Sequence, residues 1–163
     1  MKLQAFYHST VEASSSCPLT QNTPADPEQW SDVYVVTIAE ALQKGDIIEA
    51  IATTEFTNNT TIIAGIVWAI GLFNEAPAPG AVIPQGGSIL MSQPTGEDVD
   101  PNYVHHLAVC TAGVAQITAN DAFPAGATVR LRVTGQSTAA AAGEVIDIMQ
   151  GYGQMWVKVF RNA

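Results

Sequence analysis

Hydrophobic and polar positions alternate along much of this chain, most clearly at 127–134, where Val129, Leu131 and Val133 face one way and Arg130 and Arg132 the other. A period of two places successive side chains on opposite faces of an extended strand. The same period runs through 46–56, with Ile48, Ala50, Ala52, Thr54 and Phe56 on one face and Glu49, Thr53 and Glu55 on the other. Val33, Tyr34, Val35, Val36 and Thr37 form a β-branched and aromatic cluster that predicts a strand over 32–38. Residues 61–73 are apolar at nearly every position, which predicts a strand covered on both faces. One face would meet the core, the other a neighbouring element or subunit. Further strands are predicted at 88–92, 103–110, 114–118, 144–149 and 154–161.

Turn chemistry separates these runs. Thr57-Asn58-Asn59-Thr60 predicts a hairpin between 46–56 and 61–73, because Asn and Thr hydrogen-bond their own backbone. Thr111-Ala112-Gly113 reads as a turn between two strands, and Gly151-Tyr152-Gly153 as the turn of a closing hairpin. A single helical turn fits 39–44. Residues 74–87, with Pro77, Pro79 and Pro84, and residues 93–102, with Glu97, Asp98 and Asp100, read as long loops. Residues 1–32 are rich in Ser, Thr, Gln and Pro, and Pro18, Pro24 and Pro27 argue against a persistent helix or central strand. They are expected to form an N-terminal arm or surface loops.

Eight or nine short strands with turns between them predict an all-β fold, a jelly-roll β-sandwich of about eight strands over 33–163 preceded by the arm over 1–32. An immunoglobulin-like sandwich is the competitor, but its Cys…Trp…Cys spacing is absent. At 163 residues one domain is expected.

Charge narrows the partners. Fifteen acidic residues against six basic ones leave a formal charge of −9, a field that repels phosphate backbones and anionic lipid and favours a basic surface. No nucleic-acid or membrane partner is expected. The longest apolar stretch, 62–73, is shorter than the roughly 20 residues a membrane helix needs. Residues 1–10 lack the apolar core of a secretory signal. Cys17 and Cys110 are expected to be free thiols in a reducing cytoplasm.

Catalytic signatures are missing: the chain has no GxSxG, no HExxH, no phosphate-binding glycine loop and no paired CxxC. No enzymatic activity and no cofactor are expected. Asp98, Asp100, His105 and His106 are the one constellation to weigh for a metal. Adjacent histidines on a strand point to opposite faces, and the acidic loop lacks the glycine and closing Glu of a calcium loop. A solvated acidic turn is the preferred reading, with no metal. Among the aromatic residues, Trp68 and Trp156 lie in apolar strands and read as core, whereas Trp30, Tyr34, Tyr103 and Tyr152 are the candidates for contact with a partner or a sugar. Asn58 and Asn59 each begin an N-x-T pattern, but glycosylation needs a secretory route.

Residues 43–49 (QKGDIIE), the Asn/Thr-rich segment 57–61, residues 124–129 (PAGATV) and residues 153–160 (GQMWVKVF) give the chain a texture that resembles the small jelly-roll proteins of phage virions. Those serve as capsid decoration or cement proteins and as knobs of fibres. The likeness spans most of 33–161 and extends to tumour-necrosis-factor-like jelly rolls, which share architecture without function. It implies a homotrimer on the virion surface, made in the host cytoplasm and bound to a major capsid protein or another virion component. Two rivals follow from the same fold: a receptor- or carbohydrate-binding knob using Trp30, Tyr103 or Tyr152, and a cupin-like metalloenzyme using His105 or His106.

Overall fold

The computed structural model describes residues 1–75, 87–102, 106–118 and 121–162. Every regular element among them is a strand: β1 Lys2–Ser9, β2 Ser16–Thr20, β3 Ser31–Thr37, β4 Ile47–Asn58, β5 Ala64–Phe73, β6 Ser88–Leu90, β7 Thr95–Val99, β8 His106–Gln116, β9 Thr128–Gln136, β10 Val145–Ile148 and β11 Gln154–Arg161. No helix long and apolar enough to cross a membrane occurs among the described residues.

The strands make a jelly-roll sandwich of two sheets. In the first, β4 is central: β8 runs along one side of it, β11 and then β10 along the other, and β1 lies outside β11. In the second, β9 and β5 are central, β3 borders β9, and β7 and β6 border β5. β2 belongs to both. Its Ser16, Cys17 and Pro18 pair antiparallel with β10, and its Leu19 and Thr20 pair parallel with β9. Pro18, which has no N–H to donate, sits where the strand leaves one sheet for the other. The core between the sheets takes the predicted faces: Ile48, Ala50, Ala52 and Phe56 from β4, and Val129, Leu131 and Val133 from β9, all buried.

Several expectations change. The segment 1–32 is extended but contributes two paired strands rather than loops alone, and 93–102 contains β7, paired with β5. Residues 39–44 form no helix. The predicted β4–β5 hairpin does not exist, because the two strands lie in different sheets. Between them the fully buried Asn58 turns the chain: its Nδ2 donates to the carbonyls of Ile62 (2.6 Å) and Val99 (3.0 Å), and its Oδ1 accepts from the Thr60 amide (3.0 Å). That burial also removes Asn58 as a glycosylation acceptor. Residues 106–116 form one strand with no turn at 111–113. The closing hairpin is absent too. β10 and β11 both run antiparallel to β4, one after the other on its same side, and 149–153 loops out between them. Of the loop 74–87, residues 76–86 lie outside the described residues.

The apolar β5 is covered on both faces, as its composition requires. Ile66, Trp68, Ile70 and Leu72 enter the main core, while Ala69 and Phe73 on the opposite face pack with Trp30 in a second cluster that Val67 and Leu90 border. Over Ala69 and Phe73 the cover comes from the chain's own residue 30. Asp32 fixes this outer layer: it pairs with Arg130, and its Oδ1 accepts from Arg132 Nε at 2.9 Å, while Arg132 Nη2 donates to the Trp30 carbonyl at 2.8 Å.

Candidate functional site

Two of the four predicted contact aromatics are interior. Tyr34 is fully buried and its hydroxyl donates to Glu12 Oε1 at 2.9 Å; burial, and then that bond, push its ionisation upward. Trp30 is buried on Phe73, with its indole N–H donating to Glu28 Oε2 at 3.0 Å. Neither offers a free ring face. Tyr103 lies outside the described residues, as does His105. Tyr152 is 63% exposed at the tip of the 149–153 excursion, which is tethered where the Gly151 amide donates to Glu12 Oε1 at 3.1 Å. Gly153 beside it has no room for a side chain, since a Cβ would lie 2.2 Å from the Thr53 carbonyl oxygen.

Of the acidic constellation, Asp98 and His106 stand in different sheets. Asp98 sits on β7 in the second sheet, whereas His106 starts β8 in the first, where its Nδ1 lies 3.3 Å from Glu55 Oε2. Among the described residues no three His, Cys, Asp or Glu side chains come together to hold a metal. Cys17 is buried, and desolvation pushes its thiol up to about 12; Cys110 is exposed. Neither thiol is in a disulfide.

The feature that stands out is the outer face of β1-β11-β4-β8. Strict alternation in β4 and β8 points every second side chain away from the core, and cross-strand register assembles these into rows. One row runs His8, Trp156, Ile51 and Ala112; the next runs Phe6, Lys158, Glu49 and Val114. Phe6 (53%), Ile51 (41%) and Val114 (58%) are exposed apolar side chains on this face. Trp156, expected in the core, instead stands half-buried here, its ring stacked on His8 with centroids 5.7 Å apart and planes 12° from parallel. His8 Nε2 lies 3.1 Å from Gln154 Oε1, and Cys110 faces outward opposite Thr53. No element of the chain crosses this face among the described residues, in contrast to the outer face of the second sheet under Trp30.

No local pattern predicts this face as a whole, because its members come from four separated strands. One signal was present: Ile51 sits among Glu49, Thr53 and Glu55 on the polar side of an otherwise clean alternation. Chemically the face can bind a surface. It presents rows of mixed apolar and charged side chains, with one Lys and two Glu, and a hollow at one end lined by Thr53, Tyr152, Gly153 and Gln154.

No family model and no curated protein matches the chain. Solved structures do. The chain is similar to one in the structure of infectious bursal disease virus, Gx strain, with a TM-score of 0.52 at 9% identity, covering 98% of this chain and 37% of that one. A chain of the VP2 subviral particle of the same virus aligns with a TM-score of 0.47 at 8% identity, over 98% of this chain and 38% of that one. This chain therefore spans well under half the length of these viral chains. At such identity, what is shared with the first of them is the fold, an all-β jelly roll.

Proposed function

We propose that this chain is a structural component of a virus particle, a decoration or cement protein that attaches to the outer shell as a homo-oligomer and catalyses no reaction. The observation that carries this reading is a jelly roll matched along 98% of the chain by a chain from a virus structure. The charge distribution supports it. Of the fifteen carboxylates only Glu49 and Glu55 lie in β1, β4, β8 and β11, so the remaining thirteen, set against Lys44, Arg130 and Arg132, give the rest of the molecule a formal −10. Such a surface is drawn to a basic shell, and several weak footprints on one oligomer add to a high avidity.

The test is co-sedimentation of the purified chain with candidate particles, phage heads first, at rising ionic strength. Saturable binding that weakens as salt screens the acidic surface is expected. Absence of binding to any shell would remove the reading.

One observation favours a second reading, the receptor- or carbohydrate-binding knob. Tyr152 is exposed on a tethered loop, which holds a flat ring ready to stack on a sugar. Binding on a glycan array that Tyr152→Ala abolishes would select this reading over attachment to a shell. Trp30→Ala would not discriminate, since that ring is buried.

A further inference from the structure

We infer that the outer face of β1-β11-β4-β8 is covered by the same face of a second copy of this chain, forming a two-fold, face-to-face contact. Four strands about 4.8 Å apart and seven residues of shared length span roughly 19 by 24 Å in projection. That is about 460 Å² per partner in projection, the size of a weak, concentration-dependent contact rather than a permanent one.

Charge selects the occupant. The charges that point out from this face are Lys158 against Glu49 and Glu55, formally −1, because Arg161 is bound to the buried Asp46; the rest of the molecule is formally −8. Two copies repel one another in most orientations. Meeting through this face holds the two acidic remainders on opposite sides, farthest apart, and buries a surface close to neutral. Lys158 and Glu49 are direct cross-strand partners, so each copy brings its own opposite charge to the row.

Apolar complementarity points the same way. Of the large hydrophobic residues that are exposed among the described residues, Met1, Leu3, Phe6, Ile51 and Val114 lie on or beside these strands; Val11, Ile63 and Tyr152 are scattered elsewhere. Most of the exposed large apolar side chains that a second copy can offer, among the described residues, therefore lie on the same face. Self-complementary patches of this kind close as two-fold pairs. The contact does not depend on the virion reading, and it differs from the trimer that the resemblance to phage jelly rolls implies.

Cys110 reports on it. The thiol is exposed in the separate chain and faces outward beside the row of Ile51 and Ala112, while the buried Cys17 serves as an internal marker of folding. The full chain is measured by sedimentation velocity across a concentration series, with maleimide labelling at each concentration. The expected result is a species of twice the 17.2 kDa chain mass, with Cys110 labelling slowed at least tenfold as it forms and Cys17 unreactive throughout. Ile51→Glu with Val114→Glu, both at exposed positions, is expected to give a monomer whose Cys110 labels at one rate at every concentration. A monomeric wild type, a trimer, or a dimer whose Cys110 labels as fast as the monomer's would each overturn the contact. A monomer that still co-sediments with particles would end this inference and leave attachment to the shell standing without the homo-oligomer.

Discussion

Gly113 on β8 packs directly against the backbone of Met91, which follows β6. The Val114 amide donates to the Met91 carbonyl at 3.0 Å, and a Cβ at residue 113 would lie 2.8 Å from Met91 Cβ and 2.9 Å from its carbonyl carbon and oxygen. Met91 and Ser92 are in turn bound to β5, their amides donating to the Ile70 carbonyl at 2.9 and 3.2 Å. The edge of the first sheet thus touches the second through a residue that has no side chain. Gly113→Ala should cost about 1–3 kcal/mol by overpacking, read as a lower urea midpoint with an unchanged slope. A wild-type midpoint would show that the edges part without cost.

This glycine also shows how one residue type can signal two different structures. Glycine between short apolar runs is the ordinary signature of a turn, which is what 111–113 predicts; here it marks a close approach of two backbones inside an unbroken strand. Gly153 repeats the lesson beside Thr53. What depended on period-two alternation was legible: β4 and β9 present the expected faces to the core. What depended on which strand pairs with which was not. Asn58 has the composition of a hairpin turn but is a buried corner between sheets, and the acidic β7 gains its strand character from pairing with β5. Phe6, Trp156, Ile51 and Val114 become neighbours only through register, so no local pattern announces their shared face.

Trp30 seals the outer side of β5 over Ala69 and Phe73. Trp30→Ala should cost about 3–5 kcal/mol, and the newly bared strand should bind a hydrophobic dye in the folded state. Thermal unfolding within a degree or two of wild type would mean that β5 needs no cover from this residue.

Asp32 neutralises a buried cation. Arg132 is 2% exposed and loses its carboxylate partner in Asp32→Ala, leaving a charge that burial already disfavours, so a loss of about 3–5 kcal/mol is expected. Combining it with Arg132→Met should recover much of the loss. A double variant no more stable than Asp32→Ala would contradict this account.

Asp46 makes stability depend on acid. Its side chain is 1% exposed and accepts from Arg161 Nε (2.9 Å), Arg161 Nη2 (2.7 Å) and the Gln43 amide (2.8 Å), and the Arg161 bonds foremost hold its pKa below the usual carboxylate range. A carboxyl that ionises more readily folded than unfolded stabilises fully above its unfolded pKa of about 4, and that contribution fades as pH falls through the folded value. Denaturant titrations from pH 7 down to about pH 2.5 should show Asp46→Asn less stable at pH 7 and less sensitive to acid than wild type. Parallel pH curves for the two proteins would exclude Asp46 as a source of the acid response.

β2 changes sheets halfway along its length, and its hydrogen bonds pass from β10 to β9 without a gap. The two layers are therefore a single ribbon of backbone bonds folded over on itself, with a seam where an ordinary sandwich would have an open slot. They cannot slide past one another or part like the covers of a book unless that seam is unpicked. Residues 16–20 close the roll, and a cleaved N-terminal segment would leave it gaping along one side.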